Sequence, residues 1–366
     1  MKKVILDTDM VDGFDDGVAL LMLENANNID LLGVTIVAGN LPLKRSAASA
    51  IRQLEIIKAN TRVYLGSSNP LVEKRYKKEH FKKEEDLGIK INHAGYLKKY
   101  KDLNKSDSSP LDKDFKDVYE NVYNKKYTFQ NAFYQEDTDK SSSAVDFMIE
   151  QANKYPNEIT IVAIGPLTNI AEAILKDSSF PTKVKQIVYM GGAFYCRGNA
   201  TKNSEFNWWV DPHAAKICIS SSWGNQHSKE GLNFNNQIIF GLEVTNNTKS
   251  IPQDIYDKIL DTTYEEFKSI LLKNTGTKAP KNIWDIFAAA YVINKSILLS
   301  SNNEDTLKSK EKGVFIDINT KLDSNFAKAF VEEDNKNNDL KKALIANTVD
   351  ENLLFNELLY PLLKSK

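Results

Sequence analysis

Five carboxylates crowd one short stretch near the N-terminus: Asp7, Asp9, Asp12, Asp15 and Asp16, within VILDTDMVDGFDDGVALLML. Val4, Ile5 and Leu6 read as a buried strand, Gly13 as a break, and Gly17 to Leu23 as an apolar helix. The acids therefore gather at one strand-to-helix turn. Like charges that close repel strongly in a low-dielectric site. A cation between them relieves the repulsion, and carboxylates hold Ca²⁺ or Mg²⁺ through hard oxygen ligands. The C-terminal end of a strand in an open parallel sheet is also where ligands bind. Helix capping would explain one or two such Asp residues. Four or five point to a metal site.

Four further segments carry residues suited to the same chemistry. In GVTIVAGNLPL a strand ends at Ala38-Gly39-Asn40, and the glycine lets the backbone bend so that Asn40 faces the crevice, with an ordinary turn asparagine as the equal alternative. In ITIVAIGPLTNIAEAI a buried strand ends at Ile164, whose carbonyl, lacking a ladder partner, can bind a hard cation. Thr168 and Asn169 follow in a first helical turn, where capping is their ordinary role. In MGGAFYCRGNATKNSEFNWWVDPHAAKI, Met190 follows a strand, and a polar loop then supplies Asn199, Glu205 and Asn207. Such donors and acceptors, held close together, recognise sugar hydroxyls. In KNIWDIFAAAYVIN, Trp284 shares a helix face with Phe287 and Tyr291 at core spacing, and Asp285 stands where a cap would.

The elements that must position these residues alternate along the chain. Strands are expected at Lys3–Leu6, Leu31–Val37, Arg62–Leu65, Ile159–Ile164, Gln186–Tyr189, Gln237–Leu242 and Val314–Ile318. Helices are expected at Asp15–Asn25, Lys44–Ala59, Ser142–Lys154, Leu167–Leu175, Pro212–Ser220, Pro252–Lys273, Ile283–Leu298 and Asp339–Leu363. Alternation of this kind, with continuous apolar strands, predicts an α/β protein whose mostly parallel sheet is covered by helices on both faces. From about Glu73 to Lys140 the pattern lapses into a charged, partly helical excursion. Its lysines and arginine (Lys74, Arg75, Lys77, Lys78, Lys82, Lys83) are interleaved with acids, which predicts a solvated face.

Composition narrows the function classes. The chain has 366 residues, is 42% hydrophobic and carries a net charge of −1, so no whole-chain electrostatic case for nucleic acid arises. Cys196 and Cys218 make no disulfide framework or zinc spacing, and the four histidines, His80, His93, His213 and His227, are scattered. No apolar run reaches 18 residues, so no membrane span is expected. Met1-Lys2-Lys3 leads into a short strand rather than a signal sequence, and a cytoplasmic protein is expected.

Taken together, the segments resemble the calcium-dependent nucleoside hydrolases, the inosine–uridine-type N-ribohydrolases. The resemblance runs from Lys3 to about Leu298 and skips much of Glu73–Lys140. It rests on the DxD…DD cluster, VAGN, GPLTN, MGGA…RGN…EFN with a following DP, and the late Asp285. The RGN…EFN…DP and Trp-Asp forms are most like the purine-specific (inosine–adenosine–guanosine) branch. Other branches place a catalytic histidine before the late Asp, where this chain has Trp284. The resemblance implies a Rossmann-like core in one domain over residues 1–366 and a homo-oligomer, dimer or tetramer. It also implies hydrolysis of ribonucleosides, purine-leaning, to free base and ribose, and a role in purine nucleoside salvage.

The resemblance also implies residue roles. Asp9 matches a Ca²⁺ ligand that acts as general base, Asp16 the bidentate ligand, Ile164 the carbonyl ligand and Asp285 the last ligand. Asp15, Asn40, Asn199, Glu205 and Asn207 match ribose contacts, Met190 lines the ribose pocket, and Asp7 is a supporting acid. Trp284 would stack on the leaving purine, with Tyr76 or Phe81 of the excursion as the second aromatic. One departure stands out. The family has three residues between the second Asp and the Asp pair, whereas here Met10 to Phe14 intervene and bring the extra acid Asp12, which the longer loop could admit to the site. Two rival classes remain. One is an Mg²⁺-dependent phosphatase with an Asp nucleophile, disfavoured because the chain has no Gly-Asp dipeptide. The other is a non-catalytic nucleoside- or sugar-binding protein.

Overall fold

The computed structural model describes residues 1–13, 15–72, 77–98, 115–127, 143–224, 236–248, 250–301, 313–332 and 340–365. Its centre is the strand β1 (Lys2–Thr8), a run of apolar residues buried from Val4 onward. Parallel neighbours flank it on both sides: β2 (Ile29–Ile36) with β3 (Val63–Leu65) beyond, and β4 (Ile159–Ala163) followed by β5 (Gln186–Met190) and β6 (Gln237–Phe240). The sheet order is β3-β2-β1-β4-β5-β6-β10-β8-β9, and β7 (Leu298–Ser301) pairs with β10. The expected mostly parallel sheet is therefore present, with an antiparallel margin of β8 (Val314–Ile318), β9 (Ala329–Glu332) and β7 beside β10 (Lys342–Val349). The order reverses at β1, and the crevice at the carboxyl end of such a strand is where open α/β sheets bind ligands.

Helices α1 (Asp15–Asn25), α2 (Leu43–Ile57), α3 (Lys78–Asp86) and α4 (Phe115–Tyr123) follow in chain order through the first third of the chain. Helix α1 is buried on every side from Asp15 to Leu23, which agrees with its unbroken apolar sequence. It packs against the equally buried helix Ile286–Ile293, so the two segments that carry Asp15, Asp16 and Asp285 lie side by side. Within the excursion, α3 and the turn Gly95–Leu97 close a small third core through Phe81, Tyr96, Leu97, Phe206 and Trp209. Residues 73–76, 99–114 and 128–140 of the excursion lie outside the described residues. Among the described residues, no helix is long and apolar enough to cross a membrane.

Three expected helices are corrected. The segment expected as Asp339–Leu363 holds the strand β10 and then a π-helical turn, Leu353–Leu359, with Asp339 itself outside the described residues. Ala343 to Ala346 are all buried in the slot between β6 and β8, and the β-branched Ile345, Thr348 and Val349 suit a strand there. Pro252–Lys273 is two helices, Gln253–Thr262 and Glu265–Thr275, because Thr263 and Tyr264 between them take extended backbone. Ile283–Leu298 is helical only over Ile286–Ile293; Asn294 then caps a short 3₁₀ turn, Lys295–Ile297, with its side chain before β7.

Candidate functional site

The C-terminal end of β1 delivers Asp7 and Asp9 into a nearly dry environment, at 0% and 1% exposure. Asp7 is held by Thr35 (2.6 Å) and by Asn169 Nδ2 (2.8 Å), both on its Oδ1. Asn169 also donates to the Ile36 carbonyl (3.1 Å) and accepts from the Ser67 amide (2.7 Å). Its side chain thus braces Asp7 and two strand ends instead of capping its own helix. Asp9 accepts the Asn40 backbone N–H at 2.5 Å on Oδ2, while its Oδ1 is buried without a partner. Two glycines make room for Asp9: a Cβ on Gly39 would sit 2.7 Å from its Cβ and Cγ, and one on Gly165 2.8 Å from its backbone nitrogen. The glycines of VAGN and GPLTN therefore both serve the close approach of backbone to Asp9.

The first turn of α1 brings Asp15 and Asp16, and the residue before the late helix brings Asp285. One carboxylate oxygen from each of Asp15, Asp16 and Asp285 lies within 4.8 Å of the others. Thr8 holds Asp16 at 2.5 Å, and Asp15 accepts the Trp284 backbone N–H at 3.0 Å. Asp285 stands at the cap position but makes no side-chain cap bond; its carboxylate joins the acidic group. Burial raises the pKa of every member. Asp9 is pushed up to about 7, with Asp15 and Glu205 adding repulsion, and Asp15 to about 6. Asp16 and Asp285 rise well above the carboxylate range, through burial first and their acidic neighbours second. Four mutually repelling carboxyls with an orphaned buried oxygen are a donor set waiting for positive charge. All the converging atoms are hard oxygens, which suits Ca²⁺ or Mg²⁺ rather than a softer metal.

Beside the acids lies a cavity of about 430 Å³, lined in part by Asp15, Asn40, His93, Ile164, Met190 and Trp284. Asn199, Glu205, Phe206, Asn207 and Asp285 line it too. Asn207 Nδ2 donates to the carbonyls of Ile164 (3.1 Å) and Met190 (3.2 Å), so the Ile164 carbonyl has one side-chain partner and a second lone pair left. Glu205 caps the short helix Phe206–Val210, accepting from the Asn207, Trp208 and Gly192 amides, and burial pushes its pKa up to about 7. Asn199 Oδ1 accepts the Phe206 amide at 2.8 Å. Trp284 is half-buried, and its indole N–H is tied to Asn246 Oδ1 at 3.0 Å.

The structure gathers Asp15, Asp16 and Asp285 into one group, leaves Asp9 as their electrostatic neighbour outside it, and lines the cavity with Asn40, Ile164, Met190, Asn199, Glu205, Asn207 and Trp284. Asp15 sits in the tight acidic triad as well as on the cavity wall. Asp12 turns away, bound to Arg45 at 2.8 Å and Tyr123 at 2.5 Å. Phe81 is buried against Trp209 and does not reach the cavity, and Tyr76 lies outside the described residues. Sequence reasoning missed His93. Its Nε2 is 3.0 Å from Asn40 Oδ1 and its ring packs on Phe206. No local spacing marks it; the backbone bonds Asn92 N–H to Ala200 O and Tyr96 N–H to Gly39 O bring it in.

Comparison with known proteins places this geometry in context. A family profile described as inosine-uridine preferring nucleoside hydrolase matches residues 4–356. "Probable uridine nucleosidase 2" of Oryza sativa subsp. japonica is 33% identical over 65% of this chain and 59% of its own length. The chain therefore spans less than two thirds of that relative. "Pyrimidine-specific ribonucleoside hydrolase RihB" of Escherichia coli is 27% identical over 87% of this chain and 84% of its own. Among solved structures, the "Purine-Preferring Ribonucleoside Hydrolase from Gardnerella vaginalis" shares the fold with a TM-score of 0.65 at 20% identity, covering 99% of this chain and 98% of its own.

Proposed function

The chain belongs to the inosine-uridine preferring nucleoside hydrolase family, and on that premise we propose that it hydrolyses the N-glycosidic bond of ribonucleosides, with a preference for purines. The observation that carries this reading is the convergence of Asp15, Asp16 and Asp285 beside a cavity walled by Asn40, Asn199, Glu205 and Asn207. Asp9, Asp16, Asp285 and the Ile164 carbonyl would hold Ca²⁺, and Asp15 shares the acidic triad with Asp16 and Asp285. When bound, that ion supplies Lewis acidity, which lowers the pKa of a water.

The chain's own residues do the rest. Asp9 takes the proton from the attacking water. The ribose becomes oxocarbenium-like as the bond to the base stretches, and the surrounding carboxylates stabilise that positive charge. Asn40, Asn199, Glu205 and Asn207 offer the polar atoms that fix ribose hydroxyls, so the sugar is held in one orientation for attack. Trp284 faces the cavity beside Asp285, where an indole face can stack on a purine, which must take up a proton at its ring as the bond to the sugar breaks. The same reading takes residues 1–366 as one domain.

A reducing-sugar assay on inosine, guanosine, adenosine, uridine and cytidine tests the proposal. Ribose release should be fastest from purine nucleosides. No release from any nucleoside would overturn the hydrolase reading, and kcat/KM tenfold higher on uridine than on inosine would overturn the purine preference.

A further inference from the structure

The acidic loop of residues 10–14 connects Asp9 to Asp15 and Asp16, so the path of its Met10–Gly13 part bears on the spacing of the acids. Three helices grip it. From α2, Ser46 donates to the Asp9 carbonyl (3.1 Å), and Gln53 accepts from the Gly13 amide (3.4 Å) and donates to Met10 Sδ (3.1 Å). From the helix Glu265–Thr275, Asn274 donates to the Asp12 carbonyl and Ile270 backs onto Gly13, which sits at φ +54°. From α4, more than 100 residues away in sequence, Tyr123 donates to Asp12 Oδ1 at 2.5 Å.

Both oxygens of Asp12 are therefore spoken for. Arg45 takes Oδ2 at 2.8 Å, Tyr123 takes Oδ1, and Arg45 also donates to the Tyr123 hydroxyl at 2.9 Å while its guanidinium lies over the Tyr123 ring. The triangle is largely shielded from water, with 16% of the Asp12 side chain and 27% of the Arg45 side chain exposed. Charge-assisted bonds in such a setting are among the stronger polar contacts.

We propose that Asp12, Arg45 and Tyr123 form a strut that couples helix α4 to the acidic loop, so that cation binding and the docking of α4 reinforce one another. Asp12 is a positioning residue here, not a ligand. The inference rests on the acidic cluster being a cation site. Its physical basis is preorganisation. Without a cation the acids repel, and a loop free to relax would spread them; a loop pinned at Asp12 keeps them together, so less is lost when the ion binds. Because coupling is reciprocal, an ion that draws the loop in must also stabilise α4 against it.

The test is Ca²⁺ titration of full-length protein stripped of metal, by calorimetry, for wild type, Asp12→Asn, Tyr123→Phe and Tyr119→Phe. Tyr119 bonds Glu55 of α2 and ties down α4 without reaching the loop, so it reports what loosening the helix alone does. The Ca²⁺ Kd should rise about tenfold or more in Asp12→Asn, as removal of supporting groups does at metal sites. It should rise more than about threefold in Tyr123→Phe and by less in Tyr119→Phe, where α4 is looser but the strut is intact. Ca²⁺ should also slow amide exchange across Phe115–Tyr123 in wild type and not in Tyr123→Phe. A Tyr123→Phe Kd within threefold of wild type overturns the strut, as does an equal loss in Tyr119→Phe. A loss confined to Asp12→Asn would make Asp12 a ligand and likewise overturn it. Wild type that binds no Ca²⁺ overturns the cation-site reading itself, a separate failure.

Discussion

Replacing Gly39 by alanine adds one methyl group at the most crowded point of the site. Its Cβ would sit 2.7 Å from both the Cβ and Cγ of Asp9, and closer still to Oδ2. Ordinary carbon contacts begin near about 3.5 Å, so the Asp9 carboxylate must retreat by roughly 1 Å. It has little freedom to do so, because Gly165 closes in from the other side and the Asn40 amide already holds Oδ2. Overpacking of this kind costs about 1–3 kcal/mol of stability. A displacement of about 1 Å in a positioned catalytic group costs on the order of 10²-fold in rate. Gly39→Ala should therefore lower kcat for ribose release by about two orders of magnitude while the protein still unfolds cooperatively. The assay is reducing-sugar release beside a urea titration. A Gly39→Ala enzyme within threefold of wild-type kcat would refute the claim that this glycine exists to admit Asp9.

Asp9→Ala should lower turnover by roughly 10²–10⁴-fold, yet leave the metal-free midpoint equal or higher, since a buried, repelled carboxyl is removed; a midpoint several degrees lower would contradict this. Chelation with EGTA should abolish activity and Ca²⁺ should restore it, because the converging ligands are hard oxygens; full activity in a demonstrably metal-free sample would show otherwise. Trp284→Ala should cost about 1–3 kcal/mol of transition-state stabilisation on inosine, with a smaller loss in urea midpoint than a fully buried Trp would show, and Trp284→Phe should retain part of the rate. If kcat per folded molecule is unchanged, Trp284 is only packing. Glu205 has its pKa raised to about 7 in the fold. The folded state therefore holds that proton more tightly than the unfolded chain, and metal-free stability should fall as pH rises from about 4.5 to 7, by roughly 3 kcal/mol for this group. Urea midpoints in EGTA that rise across that window would refute the assignment.

What could be read from the chain alone was whatever is encoded at short range. Continuous apolar runs marked β1, β2, β4, β5 and β6, because parallel strands buried on both faces need no alternation. The crowding of Asp7, Asp9, Asp15 and Asp16 around the end of β1 marked the site, because carboxylates that close repel unless positive charge pairs with them. Glycines at strand ends marked the turns, although their reason, the clearance around Asp9, emerges only in three dimensions.

Tertiary structure decided the rest, wherever a residue's role depends on a partner distant in sequence. Asp12 has the same chemistry as its neighbours, yet Arg45 and Tyr123 draw it out of the cluster while Trp284 and Asp285 arrive to keep Asp15 in. Asn169 could have capped its own helix; the buried Oδ1 of Asp7 made a better partner. His93 reaches the cavity through backbone bonds to Gly39 and Ala200 on either side of it, and nothing in its own neighbourhood announces that. Residues 342–349 mix helix formers (Lys342, Ala343, Leu344) with β-branched Ile345, Thr348 and Val349, and their place beside β6, about a hundred residues earlier, decides for strand by burying Ala343 to Ala346.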